Sequence, residues 1–252
     1  MANGCISIER ILEKLDYHLH RNDYNAAERH LLYWLAEAEQ AGDLRTQLFL
    51  RNELMGLYRK TNRREQALEC ASAALNKIEE MGVQEQIGSA TTYLNSATVY
   101  KAFAMADKAI PLFKRTRDIY ERELTHDDAR LGGLYNNMAL ALVDLKRFSE
   151  AKELYFKAIS VMERQEGGAP DVAITYLNLA TATEKELGLV DGDEQIREYL
   201  DIAEELLEKH EKRDGYYAFV CEKCASVFGY YGRFVYEKEL LARSEAIYKR
   251  GE

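Results

Sequence analysis

The chain has 252 residues, with 34 Lys and Arg against 43 Asp and Glu for a formal net charge of −9, two prolines and one tryptophan. So few prolines leave little room for the turn chemistry of all-β folds, and the acidic balance weighs against a nucleic-acid partner, since phosphate backbones are held mainly by clustered Lys and Arg. No apolar run reaches the roughly 18–20 residues that span a bilayer, and Met1 to Arg10 lacks the basic-then-apolar order of a signal peptide.

In chain order the sequence predicts about six antiparallel helix pairs, over residues 6–41, 43–82, 85–124, 127–167, 169–212 and 214–250, in one solenoid domain spanning residues 1–252. Gly42-Asp43 closes the first pair and Met81-Gly82 the second, as helix-stopping glycines do. In the third pair Pro111 falls near the first turns of its second helix, where it need not break it. Thr125 followed by Asp128 reads as the N-cap opening the fourth pair, which ends at Gly167-Gly168. Pro170 opens the fifth pair, at a position where its missing N–H costs nothing. There, Leu187-Gly-Leu-Val-Asp-Gly-Asp193 lengthens the internal turn by about four residues, which predicts a protruding acidic loop. After Asp214-Gly215, the helix over Tyr216 to Tyr231 is apolar on almost every side, with one polar stripe at Glu222, Lys223, Ser226 and Gly229. The last helix, Tyr236 to Arg250, is expected to cap the array with Glu237, Lys238, Arg243 and Glu245.

The pairs are copies of one unit. Thr92–Tyr100, Leu134–Leu142 and Thr175–Thr183 align without gaps, placing Tyr93, Tyr135 and Tyr176 42 and 41 residues apart. Ala67, Ala109 and Ala151 recur at 42 and 42 in the helices that follow. No single pair can bury its own apolar face, so neighbours must stack, and small residues such as Ala67, Ala97, Ala139, Ala151, Ala180 and Ala225 let the helices approach closely. This pattern resembles the tetratricopeptide repeat (TPR), in the longer variety of about 42 residues found in kinesin light chains and many bacterial proteins. The residues carrying the likeness are Leu54-Met55 with Tyr58, Ser96-Ala97 with Tyr100, Met138-Ala139 with Leu142, and the second-helix alanines Ala67, Ala74, Ala151 and Ala158. It weakens at both ends, where the first pair keeps only Asp23-Tyr24-Asn25-Ala26-Ala27 and the last has Glu237 in place of an alanine. The resemblance implies an all-α, right-handed superhelical α-solenoid whose leading helices line a concave groove.

In that register the groove positions are Glu53, Asn95, Asn137, Asn178 and Lys223, preceded by Asn52, Leu94, Asn136, Leu177 and Glu222 and followed by Gly56, Thr98, Leu140, Thr181 and Ser226. Three asparagines at one register make a ladder, and an amide can grip an extended peptide at both its N–H and C=O. Similar ladders in other TPR proteins hold extended peptides. The alternative is that these amides tie each helix to its neighbour or meet water. Three bidentate amides would supply about 3–9 kcal/mol before ordering costs, against the roughly 8 kcal/mol of micromolar binding, so side-chain pockets must add selectivity. Lys223 is the only basic group at the central ladder register, which counts against the family's clamp for a C-terminal carboxylate.

The four cysteines, Cys5, Cys70, Cys221 and Cys224, are too few and scattered for a disulfide framework. Cys221-Glu-Lys-Cys224 has the spacing of half a zinc site or a redox dithiol, but no second such pair exists and His210 is the nearest histidine. In the repeat register both cysteines replace residues packed between pairs, so core packing is the preferred reading. The expectation is therefore a cytoplasmic, non-catalytic adaptor with no cofactor and no metal. It would bind a protein or extended peptide segment, and neither nucleic acid nor membrane. A homodimer through the aromatic C-terminal pair at Tyr230 and Tyr231 is a further possibility for assembly. The alternatives are a peptide-responsive sensor resembling bacterial peptide-receptor proteins and, behind it, a metal or redox protein using Cys221 and Cys224.

Overall fold

The structure, a computed structural model, describes residues 7–250. Cys5 and Ile6, with the start of the first predicted pair and most of the segment read for a signal peptide, lie outside the described residues. Those residues form twelve α-helices and no strand. The chain divides into two compact units, the first ending at Glu123 and the second beginning at Leu124.

The first unit holds α1 (Ile8–His20), α2 (Tyr24–Gln40), α3 (Leu44–Lys60), α4 (Arg64–Met81), α5 (Ile87–Ala102) and α6 (Ala106–Glu123). Its starts are fixed by acidic caps. Asp23 accepts from the Ala26 N–H at 2.9 Å, and Asp43 accepts from the Thr46 N–H at 3.1 Å and the Thr46 hydroxyl at 2.6 Å. Those bonds hold the Asp43 carboxyl below the usual carboxylate range. Helices pack in pairs, α1 on α2, α3 on α4 and α5 on α6, and the leading helices α3 and α5 also lie side by side. Fully buried Ala27, Ala67, Ala71, Ala74, Ala90, Ala97 and Ala109 let these helices close on one another. Pro111 sits inside α6 on an exposed face, further into the helix than the first turn.

The second unit holds α7 (Ala129–Asp144), α8 (Phe148–Met162), α9 (Ala169–Asp191), α10 (Asp193–Lys209), α11 (Gly215–Tyr230) and α12 (Phe234–Arg250). Again the pairs are consecutive, with α7, α9 and α11 as neighbouring leading helices. The cap of α7 is Asp128, which accepts from the Arg130 N–H at 3.0 Å, and not the expected Thr125. The helix begins one residue after Asp128, so its carboxylate alone is placed at the orphan N–H groups. Pro170 opens α9 as expected, and Asp214 caps α11 by accepting from the Tyr217 N–H at 3.0 Å. Only Tyr236, Leu240 and Ser244 of α12 are buried, and its outer face mixes Lys238, Glu239, Glu245 and Lys249 with exposed Phe234, Val235, Leu241 and Tyr248, so the expected polar cap is only partly polar.

One turn is repeated through both units. Asn22 (φ 54°), Asn62 (φ 56°), Ala104 (φ 59°), Lys146 (φ 58°) and Gly232 (φ 84°) are all left-handed and each follows a leading helix. The next residue's N–H then returns to a carbonyl five residues back: Arg63 to Tyr58 at 2.8 Å, Met105 to Tyr100 at 2.9 Å, Arg147 to Leu142 at 2.9 Å and Arg233 to Phe228 at 2.9 Å. Gly188 stands at the same register, 42 residues after Lys146, but adopts φ 82°, ψ 172°, a conformation open essentially to glycine alone. The residues beyond it form an extra helical turn in place of the expected acidic loop. Leu189 to Asp191 stay helical, and the Gly192 N–H bonds the Gly188 carbonyl at 3.1 Å before α10 begins. Leu189 and Val190 are 54% and 87% exposed on that turn, so its tip is apolar as well as acidic.

Candidate functional site

The leading helices carry all the residues singled out from the register, and the structure divides them into three groups. The first is a pair of amide bridges, one in each unit. Asn95 on α5 donates to the Asn52 carbonyl oxygen on α3 at 2.9 Å, while Asn52 donates to the Leu48 carbonyl at 3.0 Å and the Thr92 hydroxyl at 2.9 Å. Asn178 on α9 donates to the Asn136 carbonyl oxygen on α7 at 3.0 Å, while the Thr175 hydroxyl, 3.4 Å from the same oxygen, donates to the Asp171 carbonyl on its own helix at 2.9 Å. All four amides are half-buried. One of the two N–H groups of Asn95 and of Asn178 is thus committed to a neighbouring repeat, and the other has no partner among the described residues. The side-chain oxygens of Asn95 and Asn178 take no hydrogen bond among the described residues, so each amide is fixed in orientation with an acceptor to spare.

The second group is locally satisfied. Asn137 donates to the Gly133 carbonyl on its own helix at 2.9 Å, and the hydroxyls of Thr98 and Thr181 donate to Leu94 and Leu177 at 2.8 and 3.1 Å. Glu53 is half-buried, and its carboxyl is pushed up first by burial and then by the charge of Asp16 on α1.

The third group, on α11, is exposed: Glu222, Lys223 and Ser226 all face solvent. Gly229 does not belong with them. It is buried, and a side chain there would meet the Glu237 carboxylate at 2.4 Å. The same face of α11 carries exposed rings: Tyr230, already offered as a surface contact, is 66% exposed, and Tyr216 and Phe219, which read as core, are 48% and 44% exposed. Phe219 and Tyr216, four and seven residues before Lys223, share the face that the polar stripe marks, but rings in a helix apolar nearly all round read as core. Tyr216 and Phe219 pack with ring centres 6.3 Å apart, and the Lys223 ammonium lies 5.1 Å from the Phe219 ring centre. Their hydroxyl ends lean toward α9: Tyr216 donates to Asp171 at 2.5 Å, and Tyr230 and Tyr231 both donate to Glu184, at 2.5 and 2.7 Å. Asn178, Lys223 and the aromatic rings therefore lie on adjacent leading helices of one unit.

Cys221 and Cys224 are buried and free, and burial pushes their thiols up to about 11 and about 12. A thiol so far from ionising at neutral pH is a poor nucleophile and a poor metal ligand. Among the described residues no group of three or more His, Cys, Asp and Glu side chains is placed to hold a metal ion, and no helix is long and apolar enough to cross a membrane.

Stacked helix pairs, a repeated left-handed turn and fully buried alanines in both units define the architecture. The fold is TPR-like. Among solved structures it is similar to BtubC (BKLC) from P. vanneervenii, with a TM-score of 0.68 and 20% identity over 81% of this chain and 83% of that one. It is also similar to a putative kinesin light chain with nearly identical TPR-like repeats from Podosopora anserina, with a TM-score of 0.55 and 17% identity over 82% of this chain and 97% of that one. No protein-family model matches the TPR-like chain, and no curated protein matches it in sequence.

Proposed function

We propose that the chain is a non-catalytic interaction scaffold that binds an extended protein segment along its leading helices, with the α9–α11 face of the second unit as the main contact. The observation that carries this reading is the exposed Tyr216–Phe219–Lys223 group beside the pre-oriented Asn178 oxygen. Aromatic rings held open on a rigid helix offer large contact area at little entropic cost, and a fixed amide acceptor can receive a backbone N–H. One such bond contributes about 0.5–1.5 kcal/mol, so the rings and Lys223 must supply most of the affinity. The working residues on this reading are Asn178, Lys223, Ser226, Glu222 and the rings. Asn52 and Asn136 act by holding their partners, and Asn95 offers the corresponding oxygen in the first unit, where Glu53 and Thr98 share its face.

The test is selection of peptides from a displayed random library on the purified protein, followed by titration against a Phe219→Ala/Lys223→Glu variant of matched thermal stability. Loss of at least tenfold in affinity is expected, because both side chains are exposed and contribute little to folding. Selected peptides that bind wild type and variant equally would sink the α9–α11 assignment. A regulator of the peptide-receptor kind would also change shape on binding, which small-angle scattering of free and loaded protein measures directly.

A further inference from the structure

A second surface lies away from that face, at the turn edge of the second unit. Arg233, in the turn between α11 and α12, binds Asp201 and Glu204 of α10, each at 2.5 Å. This seats the turn partway along α10, not at its start. Asp193, the first residue of α10, is eight residues before Asp201, so the tip of the α9–α10 hairpin rises about 12 Å above the seated turn. Both levels of the resulting step are apolar at the surface. The upper one presents Leu189 and Val190, and the lower presents Phe234 and Val235, 62% and 74% exposed. At the lower level an open cleft of about 350 Å³ is lined by Glu204, Gly232 to Tyr236 and Glu239.

Nothing in packing calls for this arrangement. The five other turns of this kind close with one left-handed residue, whereas here Gly188 takes a glycine-only conformation and the chain adds a turn whose apolar residues reach no core. The wall between the two levels is acidic. α10 shows Asp193, Glu194, Glu198, Asp201, Glu204 and Glu205 against Arg197 and Arg233, and among the described residues neither Glu194 nor Glu198 has an ion-pair partner. A step about 12 Å high matches the 10–12 Å diameter of an α-helix with its side chains.

We propose that this step docks a basic amphipathic helix of a partner protein, its apolar stripe on Val190, Phe234 and Val235 and its Lys and Arg along the α10 carboxylates. A second copy of this chain is a poor occupant, because a two-fold contact would set the two acidic walls against each other. An anionic membrane surface is repelled for the same reason.

The probe is a fluorescent 18-residue peptide with Leu at helical i, i+3, i+4, i+7 spacing and Lys elsewhere, titrated by anisotropy. Controls are its sequence-shuffled isomer and a Glu-for-Lys counterpart. Wild type is expected to bind the amphipathic Lys peptide at least tenfold more tightly than either control, with affinity falling as salt rises. Val190→Lys/Val235→Lys and, separately, Glu194→Lys/Glu198→Lys are each expected to lose at least tenfold while keeping the wild-type melting temperature, since all four residues are exposed. The proposal is overturned if wild type does not bind the probe, if the shuffled peptide binds as well, or if both variants retain binding. It is overturned in favour of self-association if wild type sediments as a dimer and Val190→Lys/Val235→Lys as a monomer.

Discussion

Asn62 in the first unit and Gly188 in the second hold the same place in the repeat, the residue at which the leading helix of a pair gives way to the trailing one. Asn62 turns the chain back at once with φ 56°, and the Arg63 N–H closes on Tyr58 at 2.8 Å. Gly188, at φ 82° and ψ 172°, breaks the helix without reversing the chain there, and another helical turn is inserted before α10. The first turn leaves polar Asn62 and Arg64 outside, and the second leaves Leu189 and Val190. At Asn62, where the repeat is kept, the turn is explained by its hydrogen bond. At Gly188, where it is broken, Leu189 and Val190 stand exposed and the core does not use them, which is the feature the docking proposal draws on.

The sharpest way to break this comparison is to remove the glycine. Gly188→Val forces a β-branched side chain into a region that only glycine tolerates, and a loss of roughly 1–3 kcal/mol is expected. Hydrogen exchange should quicken through α9 and α10 and stay at wild-type rates in α1 to α6. Unchanged exchange in α9 would mean that the kink is not a requirement of the fold.

The amide bridges test the opposite side of the comparison, the device the two units share. Asn136→Ala leaves the Asn178 N–H without its acceptor, and Asn52→Ala does the same to Asn95. Each substitution should cost about 1–2 kcal/mol, felt in its own unit. A double-mutant cycle on Asn52 and Asn95 should show coupling, while Asn52 and Asn178 should be additive. Additivity within the bridge would mean that the two amides do not hold one another.

How far the sequence reached follows from what each residue depends on. The 42-residue period and its alanines reveal the helix pairs, because burial of small residues at fixed spacing is a local pattern repeated many times. The register that brings Asn52 to Asn95 and Asn136 to Asn178 was also readable. What these amides bond was not, since a donor's choice between ligand and neighbour depends on the stacking of separate helices. Gly188 sits in register, so the break at that residue was legible. The helical form of the four residues after it was not, since Leu-Val-Asp-Gly reads equally well as a loop. Tyr216 and Phe219 share the face of the exposed Glu222, Lys223 and Ser226, but in a helix apolar on almost every side their rings read as core.

A smaller effect separates the standard turns themselves. Lys146 and Ala104 adopt the left-handed conformation despite carrying a Cβ, whereas Asn22 and Asn62 tolerate it and Gly232 is unstrained. Lys146→Gly and Ala104→Gly should each stabilise by up to about 1 kcal/mol, with Asn62→Gly near zero. Thermal melts of the three single variants check the ranking. Equal effects would show that the turn is strained by something other than Cβ contacts.

Glu53 provides the finest distinction, because the first unit has a carboxylate where Asn137 and Asn178 stand in the second. Burial, then the Asp16 charge, raises its folded pKa above the unfolded value. The folded state therefore keeps this proton longer than the unfolded chain does. As pH climbs from the ordinary carboxylate range through the raised value, the unfolded state is favoured, and above both values a constant penalty remains. Glu53→Gln removes the charge without changing the shape. It should melt higher than wild type at pH 7, and the difference should close as pH falls below the carboxylate range. A variant less stable than wild type at pH 7 would show that a cation engages Glu53 in the folded protein, and the first unit's groove would then be neutralised from within.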